Sequence, residues 1–209
     1  MASDVDLGIE RRFAPGGGLH MEAPTTGTRR LAGFAIVFNS RSVDLGGFVE
    51  IIAPSALDRT LREQIDVRAF HSHDPALLLG RLSNGTLTIR KEPHGLHVEI
   101  EPPDTSFGRD VVAMVERGDL AEMSFGFRVE PNGDEWRDDN GTLVRTVHDM
   151  TVYEVSTVAT PAYRATSIGA RAVDTSAAMR SLQQHRQGTL SPARVAYLRR
   201  LHRQRLVSV

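Results

Sequence analysis

A serine, two histidines and a glutamate are the residues of this 209-residue chain whose types and setting could do chemistry. Ser124 lies in LAEMSFGFRVE (120–130), where Met123, Phe125, Phe127 and Val129 alternate with Ser124, Gly126, Arg128 and Glu130. A period of two is that of a half-buried strand, with the apolar set turned to the core and Ser124 on the other, wet face. Gly126, the next residue on that face, has no side chain. Glycine inside a strand often marks the close approach of a ligand or another backbone. His71 and His73 stand two apart in FHSHDP. Histidine titrates near neutral pH and can act as a general base or a metal ligand. Glu154 interrupts the apolar run MTVYEVSTVAT. A carboxylate there needs an exposed edge, an arginine partner, or a histidine N–H to accept.

Nucleophile, base and orienting acid are the groups of acyl transfer. The commonest strand serine, however, is only a solvated polar residue. A zinc pair made of His71 and His73 is the rival chemistry, since on a strand the two would share a face. A zinc site needs three or four ligands. The other histidines (20, 94, 97, 148, 185 and 202) form no recognised spacing with that pair.

The elements that must position these groups are mostly strands. LAGFAIVFNS (31–40) is an apolar core strand, and GGFVEIIAP (46–54) is a shorter one. PSALDRTLRE opens a helix, with Ser55 as its N-cap and Asp58 three residues on. DVRAFHSHDPALLLGRL (66–82) holds a short strand that enters a turn at Asp74–Pro75. GTLTIRKEPHGLHVEIEP (85–102) is a hairpin joined around Pro93–Gly95. DTSFGRDVVAMVERGDL (104–120) is a helix capped at residues 104–106, with Val111, Val112, Met114 and Val115 as its stripe and Gly118 as its stop. PNGDEW and DDNGT mark tight turns, and residues 144–163 supply one or two further strands. FAPGGGLHMEAPTTGTRR (13–30) reads as a long turn or flexible loop. These elements make an α+β fold built on a mainly antiparallel sheet or barrel. Past Arg171 the chain turns polar and ends in a basic helical pattern with Val195, Leu198, Leu201 and Leu206 as a weak stripe, a tail outside the main core.

Bulk composition narrows the function classes. Hydrophobic residues make up 40% and charged residues 24%, as in ordinary soluble proteins. A net charge of −1 gives no whole-chain attraction to nucleic acid or anionic membrane. With no cysteine, disulfides, thiolate zinc sites and a cysteine nucleophile are excluded. No apolar run approaches the roughly 20 residues of a membrane span. MASDVDLGIERR lacks the apolar core of a signal peptide, so a cytosolic soluble protein is the expectation. Basic residues are almost all arginine, with Lys91 the single lysine.

The ordered segments GFAIVFNSRS, EIIAPSAL, FHSHDPALLLGRL, MSFGFRV and YEVSTVATPAY resemble the prohead proteases of tailed bacteriophages over roughly residues 29–170. That family resembles herpesvirus assemblins in fold, which implies a mainly antiparallel β-barrel surrounded by a few helices. The implied division is an N-terminal strand and flexible loop at 1–28, a protease domain at 29–171 and a helical or disordered tail at 172–209. The tail would be removed by self-cleavage or would dock on scaffold. The resemblance implies a serine endopeptidase that processes capsid and scaffold proteins, and itself, inside an immature prohead in the host cytoplasm. It carries the nucleophile to Ser124, the base to His73 and the third, acidic position to Glu154. Gly126 would leave room for substrate backbone, and Arg128, on the Ser124 face, would contact substrate. No cofactor, metal, membrane or specific nucleic acid is implied. The partners are the major capsid protein and scaffold segment, with a homodimer allowed. The alternative is a catalytically inactive scaffolding protein of the same fold.

Overall fold

The computed structural model describes residues 8–14, 17–22, 29–159 and 176–188. Two compact units divide the chain, Met1–Asp174 and Thr175–Val209. In the second, one helix (Ser176–Gly188) is described, with Ala178 and Leu182 as its buried positions. Leucines 198, 201 and 206 and Val195 of the expected basic stripe lie outside the described residues.

The first unit is mixed α/β and mostly strand. Its strands are β1 (Glu10–Phe13), β2 (His20–Glu22), β3 (Arg30–Val37), β4 (Val49–Ile52), β5 (Arg68–His71), β6 (Asp74–Arg81), β7 (Leu87–Lys91), β8 (Gly95–Ile100), β9 (Glu122–Val129), β10 (Asp134–Asp139), β11 (Thr142–Val147) and β12 (Met150–Val158). Two helices join them, α1 (Asp58–Arg62) and α2 (Ser106–Glu116). The strands fall into three sheets, ordered β1-β9-β12-β5-β6, β10-β11-β4 and β2-β3-β8-β7. Neighbours are antiparallel except β12 with β5 and β11 with β4. No sheet closes on itself among the described residues, so the expected barrel is not present as a single ring of paired strands.

One core serves the sheets. Leu31, Ile36, Val98 and Ile100 from the four-stranded sheet pack with Met123, Phe125, Phe127 and Val155 from the five-stranded one, and α2 adds Val111, Val112 and Val115. Helix α2 forms where expected: Thr105 Oγ1 accepts the Gly108 N–H at 3.1 Å, and the chain leaves through Gly118 at φ +79°. The first helix departs from expectation. Pro54–Leu57 is a 3₁₀ turn that runs into the short α1, and no side chain caps it. Ser55 Oγ donates instead to the His148 carbonyl at 3.1 Å, so its hydroxyl is spent on tying the turn to the β11–β12 connection.

The N-terminal segment is also more ordered than its composition implies. Glu10–Phe13 pairs antiparallel with β9, in register Phe13↔Ser124 and Arg11↔Gly126, and His20–Glu22 pairs with β3. Strand β1 hides its charges in a buried cluster. Arg12 Nε donates to Glu50 Oε1 at 2.8 Å and its Nη2 to Glu10 Oε2 at 2.5 Å. Arg145 Nη1 reaches Glu10 Oε2 at 2.8 Å and Glu50 Oε2 at 2.9 Å, and its Nε reaches Asp134 Oδ2 at 2.7 Å. Burial opposes the charge on Arg145, but Glu50 and Glu10 outweigh it and its pKa is raised. Burial pushes the Glu10 carboxyl up, against the pull of Arg145 and Arg12. These charges lie on the Phe125/Phe127 side of the sheet, where the Arg12 guanidinium sits 5.5 Å from the Phe127 ring. They join the five-stranded sheet to the three-stranded one.

Candidate active site

The chemistry-bearing residues sit on the opposite side of the same sheet. Strand β9 runs between β1 and β12, so Ser124 has Phe13 across one ladder and Ser156 across the other. Residues paired across a ladder share a face. Ser124, Gly126, Glu154 and Ser156 therefore form one polar patch, while Met123, Phe125 and Phe127 turn to the core. The alternation is the expected one, but the face is not wet: Ser124 is fully buried. Its Oγ donates to the Arg12 carbonyl at 2.7 Å.

Glu154 is the organising group. A register shift in β12 between Val152 and Glu154 sets its position opposite Gly126. Its Oε1 lies 2.6 Å from His73 Nδ1, and its Oε2 accepts the Ser156 hydroxyl at 2.6 Å. Arg11 Nε stands 3.6 Å from Oε1. A carboxylate accepts, so the Nδ1 carries the proton of this bond. Nε2 is buried and has no hydrogen-bond partner. The other such nitrogen among the described residues is His97 Nδ1, against Phe34 and 3.9 Å from Glu92.

The two histidines divide. His71 ends β5 opposite Thr157, on the Met123 side, and its Nδ1 meets Thr157 Oγ1 at 3.0 Å. Its ring packs near Phe107, and burial lowers its pKa. His73 lies beyond the strand. His71 pairs with Asp74, so Ser72 and His73 are the two turn residues of a tight hairpin, with φ +54° and +60°. Positive φ at both central positions is the mark of a type I′ turn. This corrects the turn expected at Asp74–Pro75, which instead begins β6. It also separates the imagined metal pair, because a turn residue does not continue the strand's face. Among the described residues no group of three or more His, Cys, Asp or Glu is placed to hold a metal.

At Gly126 the strand is met by the Glu154 side chain. A Cβ here would lie 2.6 Å from Glu154 Oε1 and 2.9 Å from its Cγ, so the space beside the strand is filled by that carboxylate. Arg128 follows Gly126 by two residues on the same strand. It lies four residues along β9 from Ser124, about 13 Å at strand rise, and its guanidinium meets Glu130 at 3.3 Å and stands 5.7 Å from the Tyr153 ring. Ser156 and Arg11 were not singled out from sequence. The spacing of EVS was the available signal for Ser156, since residues two apart on a strand share a face.

A strand serine on the sheet face that carries a histidine–carboxylate pair supplies the group types of a nucleophilic hydrolase. The chain belongs to the Caudovirus prohead serine protease family, whose pattern it matches over residues 19–181. No curated protein sequence matches it. Among solved structures it is similar to the capsid assembly protease gp21 of bacteriophage T4, at 12% identity and a TM-score of 0.48, covering 73% of this chain and 96% of that one. No helix among the described residues is long and apolar enough to cross a membrane.

Proposed function

We propose that this chain is a serine endopeptidase that processes capsid or scaffold proteins, and its own termini, within the immature prohead in the host cell. Ser124 is the nucleophile, His73 the general base and Glu154 the acid that orients it. One observation carries the reading: His73 hydrogen-bonds Glu154 through Nδ1 and has its Nε2 buried and unpartnered, and Glu154 lies on the sheet face that holds Ser124. Membership of a serine protease family supports it.

In the reaction, Ser124 Oγ turns from the Arg12 carbonyl and attacks the scissile carbonyl carbon while its proton passes to His73 Nε2. Glu154 stabilises the imidazolium that results. His73 then protonates the departing amine as the C–N bond breaks, leaving an acyl-enzyme. A water molecule, deprotonated by the same nitrogen, releases the acid and restores Ser124.

Co-expression with the major capsid protein and its scaffold segment tests this. Wild type should shorten the partner, and Ser124→Ala should leave it intact. Equal processing by both would remove the assignment. The burial of Ser124, with its hydroxyl engaged by Arg12, favours the second reading of an inactive scaffolding protein. A purified chain that never takes a serine-directed phosphonate and never clips a partner would support that reading.

A further inference from the structure

We infer that Ser156 is a positioning residue for the same reaction: its hydroxyl locks the Glu154 carboxylate in the orientation that presents Oε1 to His73. This deepens the peptidase reading and rests on it. Ser156 is fully buried, two residues beyond Glu154 on the same face of β12, and directly across the ladder from Ser124. It thus stands between nucleophile and acid.

A glutamate carboxylate rotates easily, because its last torsion is broad and roughly two-fold. Each oxygen of Glu154 is taken by a different donor. Oε2 holds the Ser156 proton at 2.6 Å, and Oε1 holds His73 at 2.6 Å. The bare edge of Gly126 lets the group lie flat against β9, with no room for a Cβ. Gly126 provides the seat and Ser156 the latch. Arg11, at 3.6 Å and with a side chain 45% exposed, is too distant for a hydrogen bond to fix that rotation. Ser156 is not a second nucleophile. Its proton is committed to a carboxylate, and the imidazole is held by the other oxygen of that group.

The test uses the full chain and diisopropyl fluorophosphate, a probe that reports nucleophile activation without requiring the natural substrate. Ser156→Ala should slow displacement of fluoride by Ser124, which forms the diisopropylphosphoryl-serine, by about 10- to 100-fold, the worth of one hydrogen bond to a charged group. Ser156→Thr, which restores the hydroxyl, should recover most of that rate. Nitrogen-15 NMR of His73 should show a single Nδ1–H tautomer in wild type and a mixture in Ser156→Ala. An unchanged rate together with an unchanged tautomer in Ser156→Ala would overturn the inference, as would a diisopropylphosphoryl group on Ser156 in the wild type. If the methyl of the threonine variant prevents folding, the alanine variant decides alone. If wild type takes no label, the peptidase reading falls, while the tautomer comparison still decides the role of Ser156.

Discussion

Two buried polar clusters flank one sheet, and they are built on different terms. On the Phe125 side, Glu10, Arg12, Glu50, Asp134 and Arg145 are joined by charge-assisted hydrogen bonds of 2.5 to 3.2 Å. Each of these five groups meets at least one opposite charge there. On the Ser124 side, Glu154 is engaged on both oxygens, yet His73 keeps a buried nitrogen without a partner. A saturated network resists change, since removing one member leaves its partners desolvated and unmatched. An unsaturated one has capacity for a proton. The difference separates the clamp from the proposed reaction centre more sharply than polarity or burial alone, because both clusters are polar and both are buried.

Single substitutions can break this contrast. The largest effect is expected from Glu154→Gln, which should lower peptidase turnover by about 10⁴-fold, as removal of the orienting charge does in comparable triads. Its thermal midpoint should stay near that of wild type. Steady-state kinetics beside calorimetry would show whether activity and stability part company there. Arg145→Met should do the reverse. With Glu10, Glu50 and Asp134 left facing one another, denaturant unfolding should reveal a loss of about 3–5 kcal/mol. Gly126→Ala sharpens the comparison from within the site. Its methyl group forces the Glu154 carboxylate aside, at a stability cost of about 1–3 kcal/mol and with a loss of activity that exceeds what that cost explains. Activity retained in that variant would mean the seat does not matter.

Much of the proposed site was legible from residue type. The alternation around Ser124, the histidine of HDP and a lone carboxylate in an apolar strand each carry a local signal. Helix α2 was equally plain, because its cap, stripe and terminal glycine agree. The clamp was not legible. Glu10 and Arg12 in ERRF look like a solvated run, and only the approach of Glu50 and Arg145, distant in sequence, makes their burial affordable. The position of the His73 turn was hidden for a related reason. Asp-Pro is a strong local turn signal, but pairing of His71 with Asp74 fixes the hairpin two residues earlier. Ser156 carried only its two-residue spacing from Glu154, which puts it on the same face without naming its partner.

The smallest effect concerns the loop that anchors β6, outside both clusters. The hydrogen bond from Arg81 holds the Asp66 carboxyl down, to about 2 from its ordinary 3.8. A depressed acid contributes stability above its unfolded value and loses it as pH falls through the folded one. The contribution should therefore be complete above about pH 4 and should fade toward pH 2. Thermal midpoints of wild type and Asp66→Asn should converge over that interval, and curves that stay parallel would remove the ion pair as the cause.

Ser72 and His73 both occupy left-handed backbone that asparagine and glycine adopt more readily. Folding by itself would favour a different dipeptide at this bend. A line of descent released from the need to cut peptides should drift toward Asn-Gly here and gain robustness as it lost its imidazole. On the proposed function, the histidine at this bend is there for its reactivity and not for ease of folding.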